Sequence, residues 1–275
     1  MGPDVNPLED AIDRSTSVGI QSIENGTPVL RALVQAREPM TLTAIAVASG
    51  MAPGKAHKYL ASFIRSGLVV QQESGGRYDL GPFALELGVA AMRRINVVEI
   101  AQPILDDLRD LLGHTVSLAI WANRGPTIMR IAETPDLMSL TVRFGTVMPL
   151  LTSAFGRIFA AFLDRRLTQS QMQAELRDHV RFPVNSGLGN LDDIETMLAQ
   201  FRARRMSVAE NLSAPGRAAL AAPIFDHNSR IVAAIAVIGV QGRLDLNWDG
   251  RPARELTRAA RKLSQRLGAS PGLSG

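Results

Sequence analysis

The sequence contains no cysteine. Disulfides are therefore excluded, and a structural zinc site is disfavoured, because such sites draw on thiolate ligands. Histidine is scarce too: His57, His114, His179 and His227 are the whole complement, and no two stand at metal-binding spacing. Long apolar runs are missing. Charges or turn residues break each candidate before it reaches the length of a membrane span, so no membrane partner is expected. The opening residues, MGPDVNPLEDAIDRSTSVGI, lack the basic start and apolar core of a secretory leader. Residues 1–19 read as a disordered tail and the protein as cytoplasmic. No Gly-x-Ser-x-Gly elbow, Walker loop or dinucleotide fingerprint occurs. The carboxylates of Asp106-Asp107 and Asp192-Asp193 read as solvated helix positions. The chain is expected to be no enzyme and to hold neither metal nor cofactor.

What is present is enough for two domains and a sizeable core: 275 residues, 46% of them apolar. The net charge of +4 is slight. Between Ser22 and Leu80, Arg31, Arg37, Lys55, Lys58, Arg65 and Arg77 face Glu24, Glu38, Glu73 and Asp79, an excess of two. A denser basic run, Arg251, Arg254, Arg258, Arg261, Lys262 and Arg266, lies at the far end against Glu255. Net charge therefore makes no case for nucleic acid; the placement of individual cations must.

The stretch TLTAIAVASGMAPGKAHKYLASFIRSGLVVQQESGGRYDL, Thr41 to Leu80, reads as two short helices about a turn, then a hairpin. Thr41 caps the first helix, which runs to about Ala48. Gly50 suits a corner of positive φ. Pro53 opens the second helix, with Ala56, Tyr59, Leu60, Phe63 and Ile64 on one face and Gly54, Lys58, Ala61 and Arg65 opposite. Two strands around Glu73-Ser74-Gly75-Gly76 complete a winged helix-turn-helix, with Arg77 at the tip. Upstream, Ile20 to Ala36 carries the stripe Ile23, Val29, Leu30 and Leu33, with Ser22 as N-cap. Pro28 calls for a start near Thr27 or a distortion.

Residues 81–95 read as a linker helix that is apolar nearly all round: Phe83, Leu85, Leu87, Val89, Ala91 and Met92. Such a helix needs cover on every side. The expected cover is a second copy of itself, making a homodimer; a connecting helix packed on its own chain is the alternative. From residue 96 to 268 the pattern is α+β with an antiparallel sheet. An amphipathic helix, Val97–Leu112, presents Ile100, Ile104, Leu108 and Leu111. Strands are expected at Val116–Trp121, Thr127–Ile131, Leu140–Phe144, Ser207–Glu210, Arg217–Phe225 and Ile231–Val240. Helices are expected at Ile158–Leu163, Thr168–His179, Leu191–Arg205 and Arg251–Leu267, before a disordered tail at 269–275.

In this order the parts resemble the IclR family of bacterial transcriptional regulators, from about Ile20 to Leu267. IQSIENGTPVLRAL resembles the family's opening helix, and SGMAPGKAHKYLASFIRSGLV its turn, recognition helix and exit to the wing. GRYDLGPFALELG resembles the wing return and linker. GTVMPLLTSAFGRIFAAFL and LAAPIFDHNSRIVAAIAVIGV resemble the ligand-domain signature. The resemblance implies a dimerising DNA-binding domain and an effector domain akin to GAF sensory modules. It also implies dimers or dimers of dimers on palindromic double-stranded operators, and control of catabolic genes by a small organic, often aromatic, acid. The reading is a ligand-responsive regulator, a repressor of a catabolic operon; the alternative is a C-terminal domain serving as a ligand-free assembly module. Lys55 stands where the family commonly has threonine, and Lys58 where arginine is usual. Lysine is the poorer bidentate reader of guanine.

A recognition helix reads bases through its N-terminal residues while neighbouring contacts hold phosphates. The DNA-binding candidates are accordingly Thr41, Thr43, Pro53, Gly54, Lys55, His57, Lys58, Ser62 and Arg77; the plain alternative for each is a solvated surface residue. For the effector, Thr152, Ser153, Ala154, Phe155 and Gly156 form a turn entering a helix, which can offer N–H groups to a carboxylate or be a structural turn and cap. Arg130 and Arg143 are strand cations able to pair with an acid or to face solvent. Trp121 can stack on an aromatic ligand or fill core. Glu210 completes the set, with Ala219, Ala236 and Ile238. By the resemblance, these last three replace residues that are polar in readers of small keto acids, which points to a larger, more apolar effector.

Overall fold

The computed structural model describes residues 19–36, 38–72, 76–94, 96–134, 143–177 and 191–269. They fall into two compact units, one up to residue 95 and one from Asn96.

In the first unit, helix α1 (Gln21–Gln35) starts after Ile20 rather than Ser22, which lies in its first turn, and it continues through Pro28. The proline leaves the Glu24 carbonyl without its helical donor, but Glu24 is exposed, so water can serve it. The helix is held by the burial of Gly26, Val29, Ala32 and Leu33. At Gly26 an added Cβ would come within 2.9 Å of both Tyr59 and Phe63. Close packing thus overrides local propensity. Helices α2 (Leu42–Ala48) and α3 (Pro53–Arg65) follow, then strands β1 (Val69–Gln71) and β2 (Tyr78–Leu80), paired antiparallel. Val29, Leu33, Ile45, Leu60, Val69 and Tyr78 form the core of this unit. Helix α4 (Pro82–Arg94) leaves Phe83, Leu85 and Leu87 exposed at 42%, 69% and 48%.

The second unit is built on one antiparallel sheet of order β4-β3-β7-β6-β5. Its strands are β3 (Thr115–Ala122), β4 (Gly125–Ala132), β5 (Ser207–Glu210), β6 (Arg217–Phe225) and β7 (Ile231–Val240). Side chains alternate between its faces. Leu118, Leu220, Ile235 and Val237 pack under α5 (Val97–Leu112) and α9 (Arg251–Arg266). Ala119, Ala209, Ala221, Ala234 and Ala236 face α6 (Ala154–Phe162). This face is small because the helix brings bulk: Phe155, Ile158 and Phe159 fill the space the alanines leave. Behind α6 lie α7 (Arg165–Arg177) and α8 (Leu191–Arg204), which enclose Leu150, Leu151, Met172, Ile194 and Leu198.

Several expectations are corrected. The buried stripe of α5 is Ala101, Ile104, Leu105 and Leu108, while Leu111 is exposed. Helix α6 begins four residues before Ile158, because Ser153 caps it. Of the strand expected at Leu140–Phe144, residues 140–142 lie outside the described residues. Arg143 and Phe144 lead into a turn closed by Thr146, whose N–H donates to the Arg143 carbonyl at 3.0 Å. The N-terminal tail and the end of the C-terminal one also lie outside. Ala269, expected to begin that tail, is buried, its N–H donating to the Ser264 carbonyl at 3.0 Å.

Candidate functional site

In α2–turn–α3 the local chemistry acts as expected. The Thr41 hydroxyl accepts from Ala44 N–H at 3.3 Å, Gly50 takes φ +65° between the helices, and Pro53 opens α3. Ala56 and Leu60 are buried, and Tyr59 and Phe63 stack with centroids 6.4 Å apart. Burying that face turns the other outward: Gly54, Lys55, His57, Lys58 and Ser62 are all exposed, as are Thr41, Thr43 and Pro53. Thr41 is occupied as a cap. Ser62 is occupied too, donating to the Lys58 carbonyl at 3.1 Å and accepting from Arg65 at 3.3 Å. Arg65 was not among the candidates, though it shares their face. None of Lys55, Lys58 and Arg65 forms an ion pair among the described residues. Arg77 is exposed, but its guanidinium donates to the Pro39 carbonyl at 3.1 Å, so it ties the loop end of the hairpin to the segment before α2. The tip, residues 73–75, lies outside the described residues.

The turn before α6 is already supplied with an anion. The N–H groups of Leu150 and Leu151 donate to the two carboxylate oxygens of Glu175, on α7, at 2.8 and 2.9 Å. Ser153 Oγ donates to the Pro149 carbonyl at 2.6 Å and accepts from Gly156 N–H at 2.9 Å. The expected cradle is therefore partly filled from within, and Gly156 serves close packing. Arg157, buried in the same region, donates through Nε to the Leu151 carbonyl at 2.8 Å and through Nη1 to the Val208 carbonyl. Burial pushes its pKa down to about 10, so it still carries its charge at neutral pH.

Six effector candidates converge. Ser153, Ala154, Phe155, Ala219, Ala236 and Ile238 line one small cavity of about 50 Å³, room for one or two waters at about 30 Å³ each. The others lie elsewhere. Thr152 opens on an adjoining cleft of about 690 Å³. Trp121 packs on Phe159 with centroids 5.9 Å apart and fills core. Arg130, Arg143 and Glu210 are exposed and line neither space. The cation that does line the small cavity is Arg217, half-buried at the start of β6. It was missed, although it shares strand parity with Ala219 and Ala221. Met148, Leu212 and Ser213 line both the cavity and the cleft and so partition them.

Comparison with known proteins accounts for both halves. The IclR helix-turn-helix domain model matches residues 22–73, and the bacterial transcriptional regulator IclR C-terminal model matches residues 89–265. The chain belongs to the IclR family. It is a DNA-binding transcriptional regulator, not an enzyme. It is similar to the glycerol operon regulatory protein of Streptomyces coelicolor, with 30% identity over 91% of this chain and 97% of the relative. The HTH-type transcriptional regulator BhcR of Paracoccus denitrificans is also 30% identical, over 90% of this chain and 88% of its own. Among solved structures, HmgR of Pseudomonas aeruginosa is 33% identical with a TM-score of 0.84, over 92% of this chain and all of that one. No helix among the described residues of this IclR-family chain is long and apolar enough to cross a membrane.

Proposed function

We propose that this regulator is a cytoplasmic homodimer, able to pair into a dimer of dimers. It represses a catabolic operon through a palindromic operator until a small organic acid, most simply an aromatic one, enters the Ser153 cavity. The observation that carries the effector reading is the company of Arg217 with Ala219, Ala236 and Ile238 around one space. The cation suits a carboxylate and the apolar wall suits a hydrocarbon body. At its present size the cavity takes an aromatic ring only if the Met148–Leu212–Ser213 partition shifts and joins it to the cleft. On DNA, the exposed face Gly54, Lys55, His57, Lys58 and Arg65 enters the groove.

A screen of aromatic acids by thermal shift, followed by operator gel shifts, tests this. A true effector at a hundredfold excess over its dissociation constant should add about 2.7 kcal/mol of stability and change operator affinity. Arg217→Gln should weaken the acid at least tenfold but leave its neutral amide unaffected. If no acid moves the melting temperature, the small cavity belongs to a ligand-free assembly module.

The dimer reading rests on the exposed Phe83, Leu85 and Leu87 of α4. Replacing Leu85 and Leu87 together by glutamate should raise the dimer dissociation constant at least a hundredfold, seen by sedimentation velocity. Unchanged sedimentation would exclude α4 as the seam.

A further inference from the structure

The C-terminal unit holds another hollow, of about 300 Å³, which shares no lining residue with the Ser153 cavity. Its floor is apolar. Phe162, Ala222, Pro223, Phe225 and Ala260 line it, and the two phenylalanine rings meet edge to face at 5.3 Å. Its mouth is cationic, formed by Arg204, Arg205 and Arg261. None of the three has a carboxylate in an ion pair among the described residues. Arg204 lies over the Trp248 ring at 5.0 Å and Arg205 over Phe225 at 5.7 Å, contacts that leave the guanidinium edges for other acceptors. Arg205 also holds φ +48°, a conformation costly to a residue with a Cβ.

An open cleft alongside shares Arg204, Thr257 and Arg261 and adds Arg254 and Arg258. Opposing them are Asp249 in the lining and Glu255, which pairs with Arg258. Three of these cations belong to the basic run of α9, which the DNA-binding half leaves unexplained. Positive charge gathered at the rim of an apolar hollow raises the local concentration of anions. The guanidinium fork matches a carboxylate bidentately.

We propose that this hollow is a second small-molecule site, taking an amphipathic monoanion. An aromatic or medium-chain carboxylate lays its hydrocarbon body on Phe162, Phe225 and Ala260 and sets its acid group among Arg204, Arg205 and Arg261. The volume lies at the lower end of ligand sites, which suits one or two fused rings.

Titration calorimetry on the full-length protein with 1-naphthoate, set against neutral 1-naphthalenemethanol, tests the assignment. The naphthoate should bind and the alcohol should bind at least tenfold more weakly. Arg204→Gln with Arg261→Gln should weaken the naphthoate at least tenfold, and Ala203→Trp, which narrows the mouth, should do the same. All three positions are exposed, so the variants keep their fold. Ala219→Leu, which fills the other cavity, should leave this binding unchanged. The proposal is overturned if naphthoate gives no heat, if the alcohol binds equally well, or if the arginine variants bind as the parent does. Loss in Ala219→Leu alone would overturn it too, by assigning the binding to the Ser153 cavity.

Discussion

Gly156→Ala should cost the C-terminal unit about 4 kcal/mol or more, among the largest effects a single methyl can have. A Cβ at residue 156 would lie 2.0 Å from the Pro149 carbonyl oxygen, 2.4 Å from Leu150 Cα and 2.5 Å from the Leu150 oxygen. All three are main-chain atoms, so no rotamer change relieves the clash. The turn cannot simply retreat either. Glu175 grips Leu150 and Leu151 from one side, and Arg157 holds the Leu151 carbonyl from the other. Either α6 lifts from the turn, breaking the Ser153 cap and the Phe155 packing, or the turn abandons Glu175. The chain supplies its own reporter. Its two tryptophans, Trp121 and Trp248, both lie in the C-terminal unit, and its two tyrosines, Tyr59 and Tyr78, in the N-terminal one. Urea unfolding followed by tryptophan fluorescence should therefore show a much lower midpoint for the variant. An unchanged midpoint would mean that turn and helix do not pack as described.

The second large effect is expected on DNA. Lys55→Ala, Lys58→Ala and Arg65→Ala combined should weaken binding to the promoter next to the gene at least a hundredfold. Stability should hardly change, since all three side chains are exposed. The slope of log affinity against log salt should flatten by about 0.9 for each phosphate that the variant no longer neutralises. In a dimer each such phosphate counts twice. Fluorescence anisotropy over a range of salt concentrations measures both quantities. Lys58→Ala alone separates two roles: equal weakening on every sequence marks a phosphate contact, and weakening confined to the operator marks a base contact. Affinity and slope left intact in the triple variant would remove this face from the DNA interface.

Legibility followed the range of the forces involved. The α2–turn–α3 element could be read because its signals are local: a threonine cap, a glycine at the corner, a proline at the first helical position. The two long central strands of the large sheet stand out as short apolar runs, because both of their faces are covered. What failed involved partners distant in sequence. Nothing around Pro28 announces that Gly26 must lie under Tyr59 and Phe63, which is why α1 runs through its proline. The turn before α6 looks the same in sequence whether its N–H groups await a ligand or already hold Glu175, which lies 24 residues beyond Leu151. Arg130 and Arg143 drew attention as charges in apolar surroundings, while Arg217, at the head of an alanine-rich strand, was passed over.

The alanines facing α6 carry a consequence for how the family diversifies. Ala209 and Ala236, with Ala219 beside them, line the Ser153 space, so a larger side chain there takes up cavity volume, whereas Ala119, Ala221 and Ala234 are packed against α6 and leave no such room. Shape can thus be retuned a methyl at a time from the sheet side. The Pro149–Gly156 turn opposite tolerates almost nothing, because its contacts are backbone to backbone. One wall of the cavity is free to drift through evolution, and the other holds the reference frame against which that drift is measured.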